Sequence, residues 1–251
     1  MTTWVLLRGL ARESRHWGDF VPALRERLPP DHALIAPDLP GNGKRWREAS
    51  PASVERLVHG ARRELSPRRH RPPYVLVALS LGGMVAAQWA AEEPGRVAGC
   101  VLINSSLRGW SPFWQRLRPD SYAALAGLLL PGRSALARER AILHLTSSRR
   151  PAVAEHWAAY AGECPVTRMN MLRQLAAAAR YRAPALVPRV PMLVLASARD
   201  RLVSPHCSRA IAQAWGAALR EHPTAGHDLP LDDPQWTAGQ IAGWEALRLR
   251  R

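Results

Sequence analysis

Six strand-length segments, most of them apolar runs, recur along the chain, at Trp4-Leu7, Ala33-Ala36, Tyr74-Leu79, Ala98-Ile103, Met192-Ser197 and Ala218-His222, with longer helix-compatible stretches between most of them. Continuous apolar runs of this length suit strands buried on both faces, and strands separated by helices are joined by crossovers. The pattern therefore predicts an α/β fold, a mostly parallel sheet of about six strands flanked by helices. Helices are expected over His16-Leu28, Val54-Leu65, Leu81-Glu92, His206-Trp215 and Pro234-Leu247, with Ser66-Pro67 and Pro94-Gly95 as breakers. Between Ile103 and Met192 the alternation stops. Ala- and Leu-rich stretches take over there, at Tyr122-Leu130, Leu136-Leu145, Val153-Ala161 and Thr167-Ala179. Lacking a sheet of its own, this insertion is expected to lie on the body as a helical cap, dividing the chain into a core (1–106 and 183–251) and a cap (107–182).

The length, 251 residues with 47% apolar, suffices for one large core. No apolar run approaches the roughly 20 residues needed to cross a bilayer, so no membrane span is expected. Met1-Thr2-Thr3-Trp4 leads straight into an apolar strand without the layout of a secretory signal, which favours a cytoplasmic location. Cys100, Cys164 and Cys207 are odd in number and scattered, a pattern for neither a disulfide framework nor a metal site.

Chemistry enters at Ala78-Leu79-Ser80-Leu81-Gly82-Gly83, where a predicted strand meets a predicted helix and Ser80 occupies the turn between them. Such a turn forces a strained backbone on the nucleophile and tolerates only small residues nearby. A serine hydroxyl barely ionises at neutral pH, so it needs a base within reach and a third group to hold that base. In parallel sheets ligands gather beyond the carboxyl ends of the strands. Past Met192-Ser197 lies Asp200, and past Ala218-His222 lies Gly226-His227, so the candidate triad is Ser80, Asp200 and His227. Taken alone, Asp200 also reads as a turn residue and His227 as a loop histidine; their joint placement favours the triad. Asp228, Asp232 and Asp233 are rival acids that cannot easily fold back onto the imidazole. The tetrahedral intermediate needs two donors at its oxyanion, and the backbone N–H groups of Leu81 and Leu10 are the candidates, with Gly9 allowing close passage. No cofactor or metal is called for.

These residues, with Leu6-Leu7-Arg8-Gly9 and Asp38-Leu39-Pro40-Gly41-Asn42-Gly43, resemble the α/β-hydrolase superfamily over nearly the whole chain. The resemblance implies a sheet lacking the first two strands of the full fold and a small capped serine esterase, with a further likeness to the pimeloyl-acyl-carrier-protein methyl ester esterases. Arg8 stands where such proteins usually have histidine. Serine at the elbow argues against dehalogenase and epoxide hydrolase chemistry, which use a carboxylate there.

Thirty-five basic against 20 acidic residues give a net charge of +15, and Lys44 is the one lysine. The charge concentrates in 107–182, where twelve arginines face Asp120, Glu139, Glu155 and Glu163. No nucleic-acid-binding pattern accompanies it, so nucleic acid is not an expected partner. The arginines are either a solvated face or a docking surface for an acidic partner such as an acyl carrier protein, with Arg133, Arg138, Arg140, Arg149 and Arg150 as docking candidates. Trp110 and Trp157 are candidates for a substrate pocket, while most large apolar cap residues are expected to pack cap on body. Two function classes follow: a hydrolase of a small carboxylic ester or thioester, and a ligand-binding receptor or scaffold that keeps the triad residues. C–C hydrolase and lyase chemistry reuse the same triad. Turnover separates the enzyme from the receptor.

Overall fold

The computed structural model describes residues 2–130, 132–148, 153–183 and 189–248. Its elements run β1 (Thr3–Leu7), α1 (Phe20–Arg25), β2 (Ala33–Ile35), α2 (Val54–Arg63), β3 (Tyr74–Leu79), α3 (Leu81–Glu92), β4 (Val97–Ile103), α4 (Phe113–Arg116), α5 (Tyr122–Leu129), α6 (Ala135–Thr146), α7 (Ala154–Glu163), α8 (Arg168–Arg180), β5 (Met192–Ser197), α9 (Pro205–Trp215), β6 (Ala218–His222), α10 (Leu229–Asp232) and α11 (Pro234–Arg248). All six strands are parallel, in the order β2-β1-β3-β4-β5-β6. The strand-length runs become strands at nearly the expected boundaries.

Both faces of the sheet are covered, which explains why its central strands carry few polar residues. Along β3, Tyr74, Leu76 and Ala78 enter one core with α2 and α3, while Val75, Val77 and Leu79 enter the other with Trp17, Phe20 and Ile241. Alternate residues thus serve opposite layers, as the two-residue strand period requires.

One predicted helix is corrected. His16-Leu28 is not continuous: a 3-10 turn at Ser14–Trp17 stops at Gly18, whose φ of 47° suits glycine, and α1 begins afresh at Phe20. The Asp38-to-Gly43 turn closes on its own aspartate. Asp38 accepts hydrogen bonds from the Ser14 and Lys44 amides at 2.7 and 2.9 Å. Gly43 adopts a φ of 49°, and a Cβ there would sit 2.2 Å from the Asp38 carboxylate.

The sheet order sets where a ligand can bind. Strand β1 lies between β2 and β3, so the connections leaving β1 and β3 diverge and open a crevice at their carboxyl ends. The segments after β1, β3, β5 and β6 all emerge at that end. Helices α5, α6 and α8, between β4 and β5, supply further walls. Among the described residues no helix is long and apolar enough to cross a membrane.

Candidate active site

Ser80 sits between β3 and α3 with φ 58° and ψ −119°, a strained conformation for a residue with a side chain. The surroundings over-determine it. Its amide donates to the Ile103 carbonyl at 2.9 Å, and its carbonyl accepts from the Ser105 hydroxyl at 2.9 Å. A Cβ on Gly82 would fall 2.1 Å from the Leu7 carbonyl oxygen, and one on Gly83 would fall 2.5 Å from Ser105 Oγ, so both glycines are needed for α3 to pack against the sheet. Ala78, where a glycine is usual, is itself fully buried in β3.

Asp200 and His227 meet across the ends of β5 and β6. His227 Nδ1 donates to Asp200 Oδ2 at 2.7 Å, and the carboxylate's other oxygen accepts the Leu202 and Val203 amides at 2.8 and 2.9 Å. Both groups are almost fully buried. Because an ionised carboxylate can only accept, the proton lies on Nδ1 and the Nε2 lone pair is free. Ser80 and His227 line the same cavity, about 70 Å³, together with Gly9 and Leu10. Among the described residues the side chain of His227 bonds only to Asp200, so the row is closed at the Asp–His step and open at the Ser–His step. Such bonds commonly tighten only when substrate is present.

The segment after β1 approaches Ser80 closely. A Cβ on Gly9 would lie 3.2 Å from Ser80 Cβ and 3.7 Å from Ser80 Oγ, so glycine is what lets this segment run close beside the serine. This turn is anchored from α8: Ala11, at φ 52°, donates its amide to Gln174 at 2.8 Å, and Gln174 donates in turn to Asn42. Leu81 occupies the first turn of α3, where backbone N–H groups point out of the helix.

Arg8 has a defined partner. Its guanidinium grips Asp228 through two bonds of 3.1 and 2.6 Å and lies over the Trp17 ring, so it ties the segment after β1 to the one carrying His227. Side-chain exposures of 3% and 4% make this a buried pair. Removing one partner strands the other charge, so Arg8→Met should cost about 3–5 kcal/mol in urea denaturation, whereas Arg8→Met with Asp228→Leu should recover much of that loss.

Two further residues hold the His227 segment in place, of which Asn104 has no counterpart among the sequence expectations and Asp232 enters them only as a rival acid. Asn104, at φ 44° just past β4, donates to the His227 carbonyl at 2.8 Å and to Ser197 Oγ at 2.9 Å. Asp232 accepts the Gly226 amide at 2.6 Å and the Ser148 amide at 2.8 Å, joining the His227 segment to the chain after α6. An asparagine following a strand is a signal that sequence reading can use; the Asp232 contact has none.

The expected pocket tryptophans are not brought to the cavity. Trp110 is 40% exposed, and Trp157 is buried in a small cluster with Leu143 and Ala154. The apolar wall facing Ser80 comes instead from Leu125, Leu128, Ile142, Leu145 and Met171. Nor do the other aromatics of α4 pack inward, since Phe113 and Trp114 are 67% and 53% exposed. Of the docking candidates, Arg133 and Arg140 are exposed, Arg138 is half-buried beside a second chamber, and Arg149 and Arg150 lie outside the described residues. Cys100 and Cys207 are buried and Cys164 is half-buried; all three are free thiols, and burial pushes Cys100 far above the usual thiol range. No metal-binding cluster of His, Cys, Asp or Glu is found among the described residues.

A model of the alpha/beta hydrolase family matches residues 4–240. A pimeloyl-acyl-carrier-protein methyl ester esterase from Xylella fastidiosa is 35% identical over 102 residues, which is 41% of this chain and 36% of that protein. The matched stretch thus spans about a third of that relative's length. Among solved structures, a hydrolase from Pseudomonas aeruginosa superposes with a TM-score of 0.77 at 22% identity, covering 97% of this chain and 89% of that one. The esterase RhEst1 from a Rhodococcus species gives 0.76 at 21%, covering 97% and 90%. At these identities the two structures speak to the fold.

Proposed function

Because the chain belongs to the alpha/beta hydrolase family, we propose that it is a serine hydrolase that cleaves a carboxylic ester or thioester through an acyl-enzyme on Ser80. The observation that carries this reading is the 2.7 Å bond from His227 Nδ1 to Asp200, with Nε2 left free on the cavity that Ser80 also lines. His227 takes the Ser80 proton as Oγ attacks the carbonyl carbon. Asp200 holds the imidazole in the right tautomer and stabilises the cation that forms. The Leu10 and Leu81 amides receive the oxyanion, whose charge rises in the transition state. Collapse of the tetrahedral intermediate breaks the ester bond, and His227 returns the proton to the departing alcohol or thiol. Water then enters by the same route, leaving the free acid and the original serine.

Residues 107–182 act as a cap in this reading, since α5, α6 and α8 supply the apolar side chains opposite Ser80. The name of the Xylella relative and the arginine-rich composition of this segment support a carrier-borne acyl group as one form of substrate.

Stopped-flow hydrolysis of p-nitrophenyl acyl esters tests the chemistry: a burst of nitrophenol stoichiometric with enzyme, then slower turnover, is expected when deacylation limits. Release at the rate of buffer alone would contradict it and favour the receptor class. For the carrier, kcat/KM on an acyl-carrier-protein ester should fall with added salt while that of a free short ester does not. Equal, salt-insensitive values would remove the carrier.

A further inference from the structure

Next to the Ser80 cavity is a second chamber of about 130 Å³, and Ala11, Leu128, Ile142 and Met171 line both. The two spaces lie side by side across that wall, between α5 and α6, and the second reaches the far end of α7 at Tyr160, Ala161 and Cys164. This second chamber is not wholly apolar, for Glu13, His16, Arg138 and Glu139 line it too.

Three of these four polar groups are already accounted for. Glu13 is held by Arg15, and Glu139 accepts from Arg12 at 2.6 Å. His16 is neutral: burial and the neighbouring Arg12 and Arg8 push its pKa well below the ordinary histidine range, outweighing the bond from Glu13. Arg138 alone has no ion pair or side-chain hydrogen bond among the described residues. A half-buried guanidinium without a counter-ion, beside a cavity whose carboxylates are both neutralised, presents unused donors to whatever fills that space.

We infer that the substrate carries an anionic group, a carboxylate, at the end remote from the scissile bond, and that Arg138 binds it in this second chamber while the connecting hydrocarbon lies against Leu128, Ile142 and Met171. The inference rests on the ester-hydrolase reading of Ser80 and adds a substrate class to it: esters of bifunctional acids or alcohols rather than simple fatty esters. Arg138 is a specificity residue in this account, remote from the reacting atoms.

The test compares p-nitrophenyl half-esters of linear dicarboxylic acids with methyl-ended esters of equal length. A parallel series places the carboxylate on the alcohol arm. For wild-type protein, kcat/KM should favour the carboxylate-ended ester by at least about tenfold in one of the two series, the worth of one charge-assisted contact. Arg138→Gln should bring that ratio close to one, and Arg138→Lys should keep part of it. Equal turnover of carboxylate-ended and methyl-ended esters in both series by the wild type would overturn the inference and leave the hydrolase reading standing. A preference that survives Arg138→Gln would overturn the assignment to Arg138. Turnover of none of the esters would remove both readings together.

Discussion

Ser80→Ala is expected to reduce ester hydrolysis by about 10⁴- to 10⁶-fold, to the residual rate that binding and the amide donors alone provide. The substitution removes one oxygen. It leaves the bonds from the Ser80 amide and carbonyl to Ile103 and Ser105 in place, since both are backbone contacts. Thermal stability should therefore change little, and a small rise is expected if alanine accepts the φ of 58° no worse than serine does. Loss of turnover with an unchanged melting temperature is the combination that marks a nucleophile. Parallel loss of both would mark a structural serine.

Asp200→Asn carries the second large effect, a fall in kcat of about 10⁴-fold with KM changed far less. The carboxylate does two things that an amide cannot do together. One oxygen receives the Leu202 and Val203 amides while the other receives His227 Nδ1–H. Asparagine that keeps its oxygen on the two amides turns its NH₂ toward Nδ1, which forces the imidazole into the tautomer with the proton on Nε2. That nitrogen then faces Ser80 as a donor and cannot accept its proton. The check is a steady-state comparison across pH: the variant should regain activity at high pH, where hydroxide or an ionised serine bypasses the base, so the ratio of wild-type to variant rates should shrink as pH rises. A variant with full activity at neutral pH would show that another group orients His227.

How much of this was legible in advance depends on the range of the interaction. The central strands were readable because each is a continuous apolar run bounded by turn residues, and a parallel sheet covered on both faces demands that local pattern, with Val75, Val77 and Leu79 on one side and Leu76 and Ala78 on the other; the edge strand β6, with Arg220 and Glu221, carries it only weakly. The helices of the insertion were readable for the same local reason, from Tyr122 to Arg180. The first helix was not, because Gly18 at positive φ breaks a stretch whose apolar spacing continues past it. Ser80, Asp200 and His227 could be proposed because each follows a strand whose end the apolar pattern locates.

What failed were contacts between residues far apart in the chain. Arg8 and Asp228 are 220 residues apart, and nothing near either one announces the other. The tryptophans misled for a related reason: aromatic content says that the insertion has apolar groups to bury but not which face of which helix turns inward. Trp157 is buried against Leu143, Trp110 is on the surface, and the wall opposite Ser80 is built from leucine, isoleucine and methionine instead. Charge behaved similarly. Arg138 and Arg140 are two residues apart on α6, so the helical turn sends them in different directions, one beside the second chamber and the other to solvent.

The most direct test is covalent. Wild-type protein incubated with a fluorophosphonate and digested for mass spectrometry should yield one phosphonylated peptide, the one spanning Ala78 to Gly83, with the adduct on Ser80. His227→Ala should label far more slowly. Labelling at another serine, or none at all on a folded wild type, would contradict the account.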